Sequence, residues 1–208
     1  SLVKDEKVLL LALESENDKN IRDAVVSLLK ACIQSRVKVE NLATFDLEYI
    51  FLNIRAVSVG EIVEMNVVCN DDEETNVRYN LNLTDVNVVF PEGHSNKIML
   101  TDSTGVIMKY PSMDGFVQGQ FSNKDFDVID VIASSIDQIF QEEEVYDEST
   151  TTKKEFVQFV ESLTNSQLEK IQAFFETSPR LEHTFKVTNP NTGVESEYTL
   201  RGLQSFFG

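Results

Sequence analysis

Residues 60–83, GEIVEMNVVCNDDEETNVRYNLNL, decide the fold. Before Gly60 the apolar positions recur at helical spacing, and after it they alternate. Val63, Met65, Val67 and Cys69 alternate with Glu64, Asn66 and Val68; Val77, Tyr79, Leu81 and Leu83 alternate with polar neighbours. Alternation of this kind builds strands with one wet face. The short polar NDDEET between them makes the pair a hairpin. Downstream, Val86 to Phe90, Lys97 to Leu100 and Gly105 to Tyr110 read as further strands, separated by the turn signals PEGHSN and TDSTG. The middle of the chain is therefore expected to be an antiparallel β meander.

Upstream of Gly60 the pattern is helical. A helix beginning at Thr44 carries Leu47, Ile50, Phe51, Ile54 and Val57 on one face, with Tyr49 and Leu52 on the others. A helix apolar nearly all round is expected at the centre of a domain or against a partner. An earlier helix runs through Ile21, Val25, Leu28, Leu29 and Ile33, with Asp18 or Asn20 as its cap. Helical spacing returns at Asp125, through Val128, Ile132, Ile136, Ile139 and Phe140. The segment QEEEVYDESTTT, residues 141–152, holds five acids and no base, so an acidic linker or mobile loop is expected there.

Lys153 to Leu163 is a helix on Phe156, Phe159, Val160 and Leu163. Thr164 and Gln167 form a capping box that opens another helix through Leu168, Ile171, Phe174 and Phe175, stopped by Pro179. His183 to Thr188 and Glu195 to Leu200 flank the turn NPNTG as a last hairpin. The expected class is α+β: N-terminal helices, the meander, a helical return and a C-terminal β-hairpin. Three stretches are expected: 1–140, the linker 141–152, and 153–208 packed back on the first as one compact unit.

Composition narrows the function. Lys and Arg number 18 against 35 Asp and Glu, a net charge of −17. Nucleic-acid binders present a basic stripe to phosphates, so that class is excluded as the default reading. An acidic surface also keeps free subunits from associating prematurely, an effect that salt would screen. No apolar run approaches the length of a membrane span. The opening residues lack the basic region and small-residue cleavage site of a signal peptide. Cys32 and Cys69 are too few for a disulfide framework and are expected to be buried and reduced, in an intracellular compartment.

Motifs for chemistry are missing. His94 and His183 are the only histidines, and no GxSxG elbow, P-loop, GxGxxG or HExxH accompanies them. The acidic run Glu142 to Glu148 lacks the spacing of a calcium loop. The turn Asn189-Pro190-Asn191-Thr192-Gly193 has the outline of a CPxCG zinc knuckle with both cysteines replaced, and is read as a metal-free hairpin tip. No catalytic residue, cofactor or metal is expected. A carboxylate-based cell-wall hydrolase is the alternative, since paired acids can cleave glycosides. The pairs Phe174–Phe175 and Phe206–Phe207 serve either as core or as a docking edge for another subunit.

Several stretches together resemble the baseplate hub proteins of T-even-type contractile-tailed bacteriophages. They are FDLEYIFLNIRAVSVGEIVEMNVVC, IMLTDSTGVIMKYPSM, KKEFVQFVESLTNSQLEKIQAFFETSPRLEH and YTLRGLQSFFG. The most specific pieces are Ile54 to Glu61, with Arg55, Gly60 and Glu61, and the ending Leu200-Arg201-Gly202-Leu203 with Phe206 and Phe207. The resemblance implies a late protein that helps build the central hub, either as a lasting component or as an assembly chaperone, and no enzymatic activity. It implies other hub subunits as partners, with no nucleic acid, membrane or small-molecule substrate. It places the protein in the host cytoplasm during assembly and, in the case of a lasting component, in the virion tail baseplate. Arg55, a cation in an apolar helix, is expected to need a carboxylate such as Glu61 or a neighbouring chain.

Overall fold

A computed structural model describes residues 2–33, 36–121 and 127–206. The protein is α+β, with all strand pairs antiparallel. Helix α1 (Leu2–Glu14) packs on α2 (Asp18–Cys32). Ile21, Val25, Leu28 and Leu29 of α2 are buried, as their spacing predicts. The cap is Asn17 rather than Asp18 or Asn20: its side chain accepts the Asn20 N–H at 3.1 Å. Helix α3 (Thr44–Val59) starts where the Thr44 N–H donates to the Pro111 carbonyl at 2.9 Å. It ends at Gly60, whose φ of +123° only glycine adopts without strain.

That glycine turns the chain into β1 (Ile62–Val68), which pairs with β2 (Asn76–Asn82) as the expected hairpin. β3 (Asn87–Val89) does not continue this pair. It joins β8 (Arg180–Thr188), which in turn pairs with β9 (Glu195–Arg201). The meander proper is the sheet β4 (Lys97–Met99), β5 (Thr104–Met108), β6 (Ile136–Gln141) and β7 (Glu144–Asp147). Helix α4 (Met113–Phe121) and the seven-residue α5 (Val128–Ser134) interrupt it.

Two expectations fail in this sheet, for one reason each. Ile136, Ile139 and Phe140 are in strand β6, not in a helix begun at Asp125, a residue that itself lies outside the described ones. A bulge explains the misleading spacing. Ile139 faces Val106 and Gln138 faces Ile107, but Met108 faces Ile136, so Asp137 is skipped. The skipped residue turns two isoleucines three apart to the same buried side. The acidic segment, in turn, is not a bare linker. Glu142 takes a positive φ of 57° in a tight turn, and Glu144 to Asp147 pair with β6. The strand is held by backbone bonds, which the charge run does not reveal.

Helices α6 (Lys153–Glu161) and α7 (Asn165–Glu176) each open on a capping box, Thr152 with Glu155 and Thr164 with Gln167. The second was legible; the first was read as part of the acidic stretch. The described residues form two main cores. One gathers α1 to α4 with Leu181, Leu203 and Phe206; the other gathers the meander with α5 to α7 around Val106, Ile136, Ile171 and Phe174. A third, small cluster lies between the two hairpins, where Tyr79 stacks on Phe185 with ring centroids 3.9 Å apart.

Candidate interaction surface

Helix α3 is only half covered. Leu47 and Leu52 are fully buried, and Phe51 packs against Phe116 and Phe121 of α4 at 6.1 and 5.5 Å. Of the two settings expected for this helix, the centre of a domain or a partner, the chain itself supplies cover on one side only. Val57 is 83% exposed, Val59 67% and Tyr49 39%. Tyr49, Ile50, Asn53, Ile54 and Val57 recur at three- and four-residue steps and so share a face. With Cys32 of α2 they line a hollow of about 410 Å³. The polar member, Asn53, is satisfied within the helix, where its Nδ2 donates to the Tyr49 carbonyl at 2.7 Å. The surface that remains is apolar, at the spacing with which a helix face meets a partner's groove or helix.

Between α3 and α4, Gln120 Nε2 donates to Glu48 Oε1 at 3.2 Å. Burial pushes the Glu48 carboxyl up to about 7. This carboxyl is thus the one titrating near neutrality on the helix that carries the open face. Arg55 is half-buried, and its carbonyl accepts the Ser58 hydroxyl at 3.4 Å. Glu61 is exposed, and its carbonyl takes the Leu83 N–H at 2.7 Å.

The other singled-out residues separate cleanly. Phe174 and Phe206 are core, at 2% and 0% exposure, and Leu203 is buried beside Phe206. Phe175 is half-buried and lines a second shallow hollow with Val128, Val131 and Ile132. Gly202 takes a φ of +79° at the end of β9, and its N–H donates to the Leu181 carbonyl at 3.0 Å. Phe207 lies outside the described residues. The described ones do not form one site: Leu203 and Phe206 pack in the core behind α3, whereas Phe174 and Phe175 belong to the other core.

The two histidines are each tied to tyrosine or threonine hydroxyls. His94 bonds through Nδ1 to the Thr177 hydroxyl and through Nε2 to the Tyr110 hydroxyl, both at 2.8 Å, and stacks on Phe174. Burial pulls its pKa down. His183 Nε2 is 3.2 Å from the Tyr79 hydroxyl. Neither pairing is the nucleophile–base–acid chain of a triad hydrolase. Cys69 is buried as expected, while Cys32 is half-exposed at the rim of the α3 hollow. Among the described residues, no group of three or more His, Cys, Asp or Glu is placed to hold a metal ion, and no helix is long and apolar enough to cross a membrane.

The apolar positions expected on α3 included Tyr49, Ile50, Ile54 and Val57 but not Phe45, Ala56 or Val59, and the spacing does not say which of them stay open. Periodicity marks a stripe and is silent about which neighbours cover it. A signal was present in the width of the apolar surface, larger than one core could cover. In comparisons with known proteins, the family model described as T4 bacteriophage base plate protein matches residues 1–208. No curated protein and no solved structure matches the chain.

Proposed function

Since this chain belongs to the T4 bacteriophage base plate protein family, we propose that it helps build the central hub of the baseplate through protein–protein contacts. The open face of α3 is the docking surface, and another hub subunit is the partner. The observation that carries this reading is the apolar stripe Tyr49, Ile50, Ile54 and Val57 around an unfilled hollow. Side chains of this kind gain most when an apolar partner removes them from water. Arg55 and Glu61, at the end of the same helix and just beyond it, supply the charged rim. The host cytoplasm is where assembly happens, and the tail baseplate is where the product resides.

The test is capture of partners by the tagged chain from phage-infected cells, identified by mass spectrometry. Other hub proteins should come with the native chain at near-stoichiometric levels. They should be lost with Ile54→Asp plus Val57→Asp, provided that variant melts as a folded protein. Recovery of the same hub proteins by the double variant would remove α3 from the contact. Recovery of the chain alone, together with peptidoglycan lysis abolished by one Asp or Glu change, would support the hydrolase instead. The protein content of purified virions then separates a lasting hub component from a chaperone that leaves.

A further inference from the structure

Asp71 and Asn189 are 118 positions apart, yet the tips of the two hairpins meet through them. The first five residues of each tip are built the same way, although the first tip closes one residue later. In the first, the Cys69 N–H donates to the Thr75 carbonyl, and the Cys69 carbonyl accepts the Glu73 N–H, both at 2.8 Å. In the second, the Asn189 N–H donates to the Val194 carbonyl, and the Asn189 carbonyl accepts the Gly193 N–H, again both at 2.8 Å. The fifth residue is left-handed in both, with φ of +56° at Glu73 and +76° at Gly193. The first residue is buried in both, Cys69 at 1% exposure and Asn189 at 0%. Two turns with first and fourth residues separated by two others, set face to face, are how paired zinc knuckles aim four ligands at one point.

Here the first and fourth residues are Cys69 and Asp72, and Asn189 and Thr192. Asn189 Nδ2 donates to Asp71 Oδ1 at 3.0 Å and to Asp72 Oδ2 at 2.8 Å. The Thr192 hydroxyl donates to Asp71 Oδ2 at 2.6 Å, and Asn191 Nδ2 to the Thr75 hydroxyl at 3.1 Å. Asn189 Oδ1 accepts the Asn191 N–H at 2.9 Å, holding the carboxamide in that orientation. The amide nitrogen, carrying the positive end of its dipole, is thus set between two carboxylates. Hydrogen bonds from Thr192 and Asn189 hold Asp71 below the usual carboxylate range, and those from the Thr75 side chain, the Thr75 and Glu74 backbone and Asn189 do the same for Asp72.

We propose that this joint is a pair of metal knuckles working without a metal. Cys69, Asp72, Asn189 and Thr192 occupy the four ligand positions, and the Asn189 carboxamide ties the hairpins together as a zinc ion would. The native joint therefore takes no zinc. The two tips still set their first and fourth residues against each other as paired knuckles do, so thiolates at the three altered positions would restore a metal site.

The decisive variant carries Asp72→Cys, Asn189→Cys and Thr192→Cys in the full chain, kept reduced, with Co²⁺ as the probe. One equivalent should bind with the intense visible absorption of tetrahedral cobalt thiolate, displaced by Zn²⁺, while the native chain shows neither. If the variant folds only with Zn²⁺ present, that dependence supports the proposal equally. A folded variant that binds no more Co²⁺ than the native chain would overturn it, as would stoichiometric zinc in the native protein. Should the variant fold under neither condition, Asn189→Asp decides. It exchanges the donor for an acceptor of the same shape, and should speed amide exchange at Glu73 and Gly193 by roughly tenfold or more. Unchanged exchange at those two amides would overturn the proposal.

Discussion

Helix α3 and the hairpin-tip joint depart from ordinary burial in opposite senses. On α3, apolar side chains stay in water, Val57 at 83% exposure. At the joint, a carboxamide is withdrawn completely, Asn189 at 0%, and both its side-chain and its backbone polar atoms are engaged. Exposed apolar surface gains free energy when it is covered, which is what the proposed docking on α3 would do. Buried polar groups are stable only when their bonds are made in one geometry, so the joint is complete within the chain. On the proposed reading, one region serves another protein, and the other this protein's own shape.

The largest effect should come from the core behind α3. Phe206→Ala removes a fully buried ring and should cost about 3–5 kcal/mol in denaturant unfolding. A loss near 1 kcal/mol would mean that the back of α3 is as loosely covered as its front. Asn189→Ala should cost about 1–3 kcal/mol, because it strips donors from two carboxylates that stay in place. A neutral result would remove the contrast, making the joint as dispensable as an exposed loop.

Acidity should tell the two regions apart by sign. Asp71 and Asp72 are depressed by hydrogen bonds from Thr192 and Asn189, and from the Thr75 side chain and backbone. Below the ordinary carboxylate range, near pH 4, the unfolded chain holds more protons at these sites than the folded one. Their stabilisation is therefore complete above that pH and is lost as pH falls further; Asp72→Asn should flatten that slope in melts. Glu48 runs the other way. Its carboxyl is raised from 4.5 to about 7, so the folded state holds more protons and stability falls as pH rises through that window. Glu48→Gln should abolish this decline; a decline that persists would assign it to other groups.

The smallest effect on stability, and the sharpest on function, is expected at Val57. Val57→Ser should leave the unfolding free energy within about 0.5 kcal/mol of the native chain, as for other exposed sites. It should still weaken recovery of hub proteins from infected cells. A clear loss of stability would show that the front of α3 is part of the protein's own core.

Legibility followed the range of the physics involved. The hairpin β1–β2 was readable because alternation is written within each strand, and α7 because a capping box is complete within four residues. The strand β6 was not readable, since a bulge at Asp137 gave Ile136 and Ile139 a helical spacing that only the pairing with β5 explains. Both hairpin tips were read as polar turns, but nothing near residue 71 records what lies at residue 189. The open face of α3 was hidden for the same reason.

By itself, then, the sequence determined the α+β class, most helices and hairpins, and the family resemblance, because periodicity, caps and turns are local terms. Tertiary structure alone decided which apolar face stayed open and which polar side chains were enclosed. The stacking of Tyr79 on Phe185 sets the two hairpins face to face, and that packing brings their distant tips into hydrogen-bond range. Burial is a property of neighbours in space, and the chain's order does not specify those neighbours until it has folded.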